Sequence, residues 1–546
     1  MIFAPQNSQQ RQVVETQAKL TVVLGGAGVG KTTSALAAAR AHLDRTTDVD
    51  PTGRVLFLSF SRASVARISS RTQSILGRAS ERVDVMTFHA LAFSLVRRFG
   101  RLVGHPTPVL VSPARQRIGK KRGEVGYEDL FPLALQVAKA SPAVRKHVGS
   151  RWSLVIVDEF QDTGDAQQQL LELVTPNSRV ILLGDPEQCI YTFLASDGVR
   201  YEKIIEASES AGRNNTIVLP PTSFRDPTGV IPAVATAIRQ RRFKSPVLSE
   251  AVAQGRLRIQ SGIPLSEETS EVARVVRALR DEGLGVAVFT HHNDMLATLS
   301  DALEEAGIQH EIAGLSDAVA SALDAQAAML RFGVGYAAWD VVLDALAVFV
   351  TSAQRGSRVP QLAHRLLTGN GDAALKERLS SLKASLHDSR DIEDLSTTAI
   401  SARQSLKLPS KSSAWEQAST LLSTMQARAL RLSGHGSDMQ KIAVSISAQA
   451  REASFDALTE SSLNLRDVQL MNLYQTKGRE ADATVVVLRE GDFLGSEKEP
   501  FPTTSRLLYV VFSRARQKIV VLLVGSVLHP AVAPLRLLPQ APFRSL

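Results

Sequence analysis

Two short segments of the chain carry residue types suited to phosphate chemistry. The first is a glycine-rich run that ends in a lysine and two threonines, Gly25-Gly26-Ala27-Gly28-Val29-Gly30-Lys31-Thr32-Thr33. Such glycines let backbone N–H groups curl around phosphate oxygens, and the start of a following helix adds the positive end of its dipole. At this spacing Lys31 is predicted to neutralise the β- and γ-phosphates and Thr32 to ligate Mg²⁺. The alternative is a purely structural glycine turn, which rarely satisfies the whole pattern.

The second segment is an apolar run that ends in two acids, Ser153 to Val157 followed by Asp158 and Glu159. We expect Asp158 to hold Mg²⁺ through water and Glu159 to polarise the attacking water as a general base. A solvated turn after a strand is the alternative, but a phosphate loop in the same chain favours catalysis. Together the two segments predict Mg²⁺-dependent hydrolysis of a nucleoside triphosphate. Kinases and motor ATPases stay open, whereas the guanine-reading Asn-Lys-x-Asp of GTPases is absent from the sequence.

Buried strands must position these residues, and short apolar runs separated by helical stretches recur along the chain. The runs are Leu20–Leu24, Val55–Leu58, Val83–Met86, Leu154–Val157, Val180–Leu183, Ile217–Leu219, Gly285–Phe289, Val468–Leu470, Thr484–Leu488 and Ile519–Leu523. Continuous β-branched runs with helical spacers are typical of parallel sheets buried on both faces. The sequence therefore predicts an α/β fold of parallel sheets flanked by helices.

Two stretches interrupt this alternation and are predicted to be insertions. Residues 99–149 are basic and predicted to be loop-rich, and residues 315–461 are rich in Ala, Ser and Leu at helical spacing. We therefore expect a first lobe of residues 1–98 and 150–218 and a second lobe of residues 219–314 and 462–546. The first lobe would carry a short insertion and the second a mainly helical one.

Composition narrows the class of protein further. The 546 residues include 63 basic and 54 acidic side chains, a net charge of +9 that permits a polyanionic partner. The single cysteine, Cys189, excludes an internal disulfide framework and a Cys-cluster metal site. So low a cysteine content is typical of proteins in a reducing, cytoplasmic compartment. The longest apolar run, from Ile519 to Leu528, is too short to span a bilayer, so no membrane contact is expected.

Eight further short motifs occur along the chain. They are Asn7-Ser8-Gln9-Gln10-Arg11, Leu58-Ser59-Phe60-Ser61-Arg62, Thr87-Phe88-His89, Asp158-Glu159-Phe160-Gln161-Asp162, Gly184-Asp185-Pro186-Glu187-Gln188-Cys189-Ile190-Tyr191, Ser223-Phe224-Arg225, Gln475-Thr476-Lys477-Gly478-Arg479-Glu480 and Tyr509-Val510-Val511-Phe512-Ser513-Arg514-Ala515. Together with the phosphate loop, these motifs resemble those of the superfamily 1 helicases of the UvrD/Rep/PcrA type, and the resemblance runs in order from Asn7 to Lys518. The resemblance implies two RecA-like lobes with ATP bound between them.

The resemblance also implies roles at the nucleotide. Gln10 would read adenine, Gln188 would sense the γ-phosphate or position the water, and Glu480 would bind the ribose. Arg225 and Arg514 would act as arginine fingers from opposite sides of the cleft, where they stabilise the charge that spreads over the phosphoryl oxygens in the transition state.

On the DNA side, the resemblance implies a set of strand-lining residues, several of them aromatic: Phe60, Thr87, Phe88, His89, Tyr191, Phe193 and Tyr474. Stacking of bases on aromatic rings tolerates any sequence, which suits movement along arbitrary DNA. For Phe60 and Phe88 the alternative is packing in the core between strand and helix, and His89 could instead cap its helix.

The chain departs from the family pattern mainly at DNA-coupling positions. Cys189 replaces a serine, Phe193 a tryptophan and Tyr474 a histidine, while Asn472 stands where threonine is usual. Near the C-terminus, Thr503-Thr504 replace an acidic pair and only Arg506 remains of two arginines. Since the ATP-contacting positions match, the sequence predicts hydrolysis on firmer grounds than duplex unwinding.

The resemblance implies an ATP-dependent helicase that moves 3′→5′ on single-stranded DNA, with ATP and Mg²⁺ as cofactors and DNA junctions as further substrates. Both insertions are short for the family, which predicts a reduced helicase. Two alternatives stay open: a DNA-stimulated ATPase subunit of a nuclease or phage-defence complex, and a single-strand-binding protein switched by ATP.

Overall fold

The computed structural model describes residues 5–60, 62–189, 206–291, 294–312, 316–353, 358–408, 412–433, 438–459, 467–476, 478–492 and 497–540. The chain forms two compact units. One contains residues 1–92, 134–313 and 463–546, and the other contains residues 93–133 and 314–462.

Fourteen strands lie in the described part of the chain. They are β1 Leu20–Leu24, β2 Arg54–Ser59, β3 Val83–Thr87, β4 Val109–Leu110, β5 Glu124–Val125, β6 Trp152–Val157, β7 Arg179–Gly184, β8 Thr216–Val218, β9 Leu257–Ile263, β10 Val286–Thr290, β11 Glu311–Ile312, β12 Val468–Asn472, β13 Ala481–Arg489 and β14 Ala515–Val524.

The α-helices fill the intervals between the strands and dominate the second unit. They are Ser8–Glu15, Lys31–Thr46, Arg62–Leu76, Phe88–Phe99, Pro113–Ile118, Leu130–Ala140, Pro142–Gly149, Asp165–Val174, Val230–Arg239, Pro246–Ala253, Glu268–Asp281, Asp294–Glu305, Ser316–Gly333, Trp339–Ala353, Gln361–Thr368, Ala373–His387, Ile392–Ser405, Ser412–Ser433, Met439–Thr459 and Pro502–Phe512. None of these described helices is both long and apolar enough to cross a membrane.

The first sheet has six parallel strands in the order β3-β2-β6-β7-β1-β8. Its central strands are buried on both faces, as the continuous apolar runs predict, and Val22 and Val23 are fully buried. Because the strands are parallel, the segments that follow β1, β2, β6 and β7 emerge at the same edge. The glycine-rich segment and Asp158 therefore share one edge of this sheet.

The second sheet also has six parallel strands, in the order β11-β12-β10-β13-β14-β9. Ala481 at the start of β13 pairs with Ala515 at the start of β14. The residues just before these strands, Glu480 and Arg514, are therefore neighbours at the amino end of the ladder. Both sheets belong to the same compact unit.

The other unit has a helical core of its own. Phe349 and Trp415 meet edge to face with their ring centroids 4.9 Å apart, and both are buried. The buried Arg115 donates to Glu124 at 2.9 Å and to Asp344 at 2.8 Å. The ion pair with Asp344 joins the earlier segment of this unit to the later one.

The predicted α/β fold with parallel sheets flanked by helices is confirmed, and each of the ten predicted strands is present. Two strands of the second sheet, β9 and β11, were missed. β9 alternates apolar and polar residues and lies at the sheet edge, so it lacks a continuous apolar run. Residues 99–149 are also more helical than predicted, since Leu130–Ala140 and Pro142–Gly149 are helices.

Candidate nucleotide site

A cavity of about 750 Å³ lies where the carboxyl edge of the first sheet meets the amino ends of β13 and β14. It combines the glycine-rich segment, the acids after β6 and several arginines. The lining residues are Gln6, Gln10, Ala27, Gly28, Val29, Gly30, Lys31, Thr32, Thr33, Arg67, Arg71, Asp158, Glu159, Gln188, Phe224, Arg225, Glu480, Arg514 and Arg516. Among the predicted nucleotide-site residues, only Gly25 and Gly26 do not line it directly.

The glycine-rich segment forms a tight loop between β1 and the helix that begins at Lys31. Gly28 and Gly30 have φ values of +78° and +90°, a conformation that favours glycine. The Lys31 Nζ donates to the carbonyl oxygens of Gly25 and Gly26 at 2.5 and 2.9 Å. The lysine is thus folded back over the loop that is predicted to bind phosphate.

Gln10 lies beside this loop and is 1% exposed. Its backbone N–H donates to Asn7 Oδ1 at 2.8 Å, and its Oε1 accepts from the Gln6 N–H at 2.8 Å. A Cβ added at Gly30 would lie 3.0 Å from Gln10 Nε2 and 3.4 Å from the ring of Phe224. An amide and a half-exposed aromatic ring therefore flank the same loop residue, an arrangement suited to a flat base.

Asp158 follows β6 and is 3% exposed, and its Oδ2 is buried without a hydrogen-bond partner. Burial, reinforced by the neighbouring Glu159, raises the pKa of Asp158 to about 6. An orphaned carboxylate oxygen beside Thr32 and Lys31 fits a divalent cation. In the described part of the chain no group of three or more His, Cys, Asp or Glu is placed to hold a metal ion.

Glu159 adopts a left-handed conformation, with φ at +55°. Gln161 Nε2 donates to its Oε2 at 2.5 Å. A carboxylate oriented by an amide beside Asp158 is suited to polarise a water molecule.

Arg514 joins the second sheet to the first within this pocket. Its Nη2 donates to Gln188 Oε1 at 2.5 Å, and Gln188 Nε2 donates to Asp185 Oδ2 at 2.6 Å. Burial, together with the nearby Arg225, lowers the pKa of Arg514 to about 10. At neutral pH the guanidinium therefore stays charged in a dry environment, where it interacts strongly with an anion.

Glu480 accepts from three guanidinium groups: Arg225 at 2.5 Å, Arg67 at 2.8 Å and Arg516 at 3.3 Å. Burial alone would raise the pKa of Glu480, but Arg225 and Arg67 hold it well below its ordinary value. The carboxylate predicted to bind ribose is thus bound by arginines in this structure. Arg225 also donates to the carbonyl oxygen of Ser513.

Sequence reasoning assigned no role to several residues of this pocket: Gln6, Arg67, Arg71, Phe224 and Arg516. Arg67 and Arg71 are four residues apart on helix Arg62–Leu76 and therefore share one face, a signal that could have been used. Phe224 was noticed only as part of a motif.

The predicted DNA-facing residues do not line this cavity where the structure describes them. Phe88 is 2% exposed and packs in the core, which is the alternative to base stacking at this position. Thr87 is also buried, and its Oγ1 accepts from the Ala90 N–H at 3.1 Å, which caps the following helix. Phe60 and His89 are partly exposed.

Tyr474 packs against the core of the second sheet, with its ring centroid 6.2 Å from that of His291. Tyr191 and Phe193 lie outside the described residues.

Comparisons with known proteins agree with the motif order. Residues 9–194 match the family model described as AAA domain. The chain is 32% identical over 129 residues to RecBCD enzyme subunit RecB of Mycolicibacterium smegmatis, covering 23% of this chain and 11% of that protein. It is 23% identical over 303 residues to ATP-dependent DNA helicase PcrA of Leuconostoc citreum, covering 44% and 40%.

A third relative is exonuclease/helicase subunit RexA of Lactococcus lactis, 29% identical over 101 residues that cover 18% of this chain and 8% of that protein. In these three alignments the chain spans at most 40% of a relative's length. These matches to helicases and helicase subunits agree with the ordered motifs and with the two parallel sheets.

Proposed function

We propose that this chain is an ATP-hydrolysing motor that moves along single-stranded DNA in the 3′→5′ direction and separates strands. One observation carries the proposal: Arg225 and Arg514 lie in the same cavity as Lys31, Asp158 and Glu159. A pocket that combines a phosphate loop, two acids and arginines from separate segments supports phosphoryl transfer to water.

We assign the residues as follows. Lys31 and the loop amides bind the phosphates, and Thr32 and Asp158 hold Mg²⁺, which would neutralise charge on the β- and γ-phosphates. Glu159 orients the attacking water and accepts its proton.

Arg225, Arg514 and Gln188 stabilise the terminal phosphate. Gln10 and Phe224 bind the adenine, and Glu480 binds the ribose once its arginines turn to the phosphates.

Movement along DNA would result when arginines of the pocket exchange their protein partners for the phosphates of a bound nucleotide. Arg514 contacts Gln188 and Arg225 contacts Glu480, so residues around both sheets meet at the predicted phosphate position. A bound triphosphate would compete for both arginines and draw the sheets together, and hydrolysis would release them. We assign residues 1–98 and 150–218 to the first RecA-like lobe and residues 219–314 and 462–546 to the second, with insertions at 99–149 and 315–461.

DNA would run along the carboxyl edges of the two sheets. Phe60 and His89 follow β2 and β3 of the first sheet, and Tyr474 follows β12 of the second. The net charge of +9 supports a sequence-independent hold on phosphates. A DNA substrate and a single cysteine fit a cytoplasmic location.

The test is strand displacement with duplexes that carry a 3′ tail, a 5′ tail or no tail. We expect ATP-dependent displacement of the 3′-tailed substrate, and no displacement by Glu159→Gln. Glu159→Gln should still bind nucleotide, because the phosphate loop is unchanged. Preference for the 5′ tail would refute the polarity, and full activity of Glu159→Gln would refute the assignment of the base.

A second candidate is the ATPase subunit of a larger nuclease complex. The names of two relatives, RecBCD enzyme subunit RecB and exonuclease/helicase subunit RexA, describe subunits of such enzymes. DNA-stimulated hydrolysis without displacement, converted to displacement by a co-purifying nuclease, would favour this candidate. Tight single-strand binding without hydrolysis would instead favour an ATP-switched binding protein.

A further inference from the structure

Arg67 is a pocket residue for which the motifs provide no role. It lies on helix Arg62–Leu76, which follows β2 of the first sheet, and its side chain is 22% exposed. Its Nη1 donates to Glu480 Oε1 at 2.8 Å, across the cavity from the helix that carries it. The first sheet therefore contributes an arginine of its own to the pocket.

Around the contact between Arg67 and Glu480, positive charges outnumber negative ones and some hydrogen-bond donors have no partner. Arg225 Nη2 donates to the same oxygen, Oε1, at 2.5 Å, and Arg516 donates to the other oxygen at 3.3 Å. One carboxylate thus faces three guanidinium groups. The Nε atoms of Arg67 and Arg225 are both buried without a hydrogen-bond partner.

Buried donors without partners and clustered like charges are each unfavourable. A ligand with several negative oxygens that enters the cavity would stabilise both features, because each guanidinium could then donate to an oxygen of its own. The same cavity contains the phosphate loop. The positive charge of Arg67 also acts on Asp158, where it lowers the pKa of the carboxyl and so counteracts the effect of burial. Arg67 is therefore close to the predicted position of the terminal phosphates.

We propose that Arg67 binds the terminal phosphate of a bound nucleoside triphosphate, as a third arginine beside Arg225 and Arg514, and leaves Glu480 to do so. The inference rests on the proposed nucleotide site and adds a residue to it. Arg67 and the phosphate loop both follow strands of the first sheet. Arg67 therefore distinguishes a triphosphate from a diphosphate without any contribution from the second sheet.

The test is the ratio of affinities for a non-hydrolysable triphosphate, AMP-PNP, and for ADP, measured by equilibrium titration of the full chain with Mg²⁺. Removal of a charge-assisted hydrogen bond in Arg67→Ala should weaken AMP-PNP binding by about 10-fold or more. ADP binding should stay within about twofold, since ADP lacks the contacted group. Arg67→Lys keeps the charge but not the planar fork, so it should lose part of the preference.

Two controls separate phosphate binding from a structural role. Arg78→Ala removes an exposed arginine outside the pocket and should leave both affinities unchanged. Glu480→Gln removes the partner of Arg67; its preference for AMP-PNP over ADP should equal or exceed that of the wild type.

Equal weakening of both nucleotides in Arg67→Ala, or loss of the preference in Glu480→Gln, would overturn the proposal. If Arg67→Ala does not fold, an unchanged preference in Arg67→Lys would overturn it equally. A wild-type chain that binds neither nucleotide would instead refute the nucleotide site itself.

Discussion

Gly28 offers a direct test of how the phosphate loop positions Arg225. A Cβ added at Gly28 would lie 2.5 Å from Ser223 Oγ and 3.0 Å from Arg225 Cβ. Ordinary contacts begin at 3.4 Å, so Gly28→Ala must displace the Ser223 hydroxyl by about 0.9 Å. Arg225 would move as well, because its N–H donates to that hydroxyl at 3.2 Å and Phe224 N–H donates to Gly28 O at 2.8 Å.

A misplacement of about 1 Å at a reacting group can cost on the order of 100-fold in rate, or about 2.7 kcal/mol. We therefore expect Gly28→Ala to lower single-strand-stimulated ATP hydrolysis by about 100-fold. The left-handed conformation, with φ at +78°, should also cost about 1–2 kcal/mol of folding stability. The two effects are separated by measuring hydrolysis per folded molecule beside thermal unfolding.

Gly283 is the matched control, since its φ is also +78° and a Cβ there would meet nothing within 4 Å. Gly283→Ala should lose similar stability and keep its rate of hydrolysis. The double variant Gly28→Ala/Ser223→Ala removes the displaced hydroxyl and should recover about 10-fold of the lost rate. Equal rates in the two glycine variants, or no recovery in the double variant, would refute the steric argument.

Three further predictions follow from other parts of the molecule. Cys189 is 2% exposed, and its Sγ donates to Gln161 O at 3.8 Å. Cys189→Ser should therefore keep the rate of ATP hydrolysis within about threefold of the wild type. A large loss of activity would count against the motif alignment at this position. Burial raises the pKa of Glu268 to about 7 although Arg489 lies 3.0 Å away, so the folded chain binds this proton more tightly than the unfolded chain and loses folding stability as pH rises from 4.5 through 7. The melting temperature of Glu268→Gln should decline less than that of the wild type over this range, and parallel curves would contradict the prediction. Single-strand affinity, measured by fluorescence anisotropy, should fall by at least about 10-fold between 50 and 200 mM salt, and a salt-independent affinity would argue against a phosphate-based hold.

The sheets could be predicted from sequence because buried parallel strands need continuous apolar runs. Strand β6 and the acid after it, Asp158, followed directly from that pattern. Strand β9 did not, because an edge strand with Arg258 and Gln260 on its second face resembles a loop.

Side chains that meet across the fold were harder to predict. Arg67 and Glu480 are 413 positions apart, and no local pattern marks them as partners. Phe88 shows the converse problem, since an aromatic residue after a strand is compatible with either base stacking or core packing. Its side chain is 2% exposed, and burial of this kind depends on tertiary neighbours that local sequence does not specify.

The most direct test of the central claim is ATP hydrolysis with and without single-stranded DNA, in the wild type and in Lys31→Ala. Lys31 is the cation of the phosphate loop, and its Nζ already lies against the carbonyls of Gly25 and Gly26. We predict that DNA stimulates hydrolysis by the wild type and that Lys31→Ala abolishes it. If the two proteins are equally inactive, or equally active, with DNA present, the chain is not the motor that we propose.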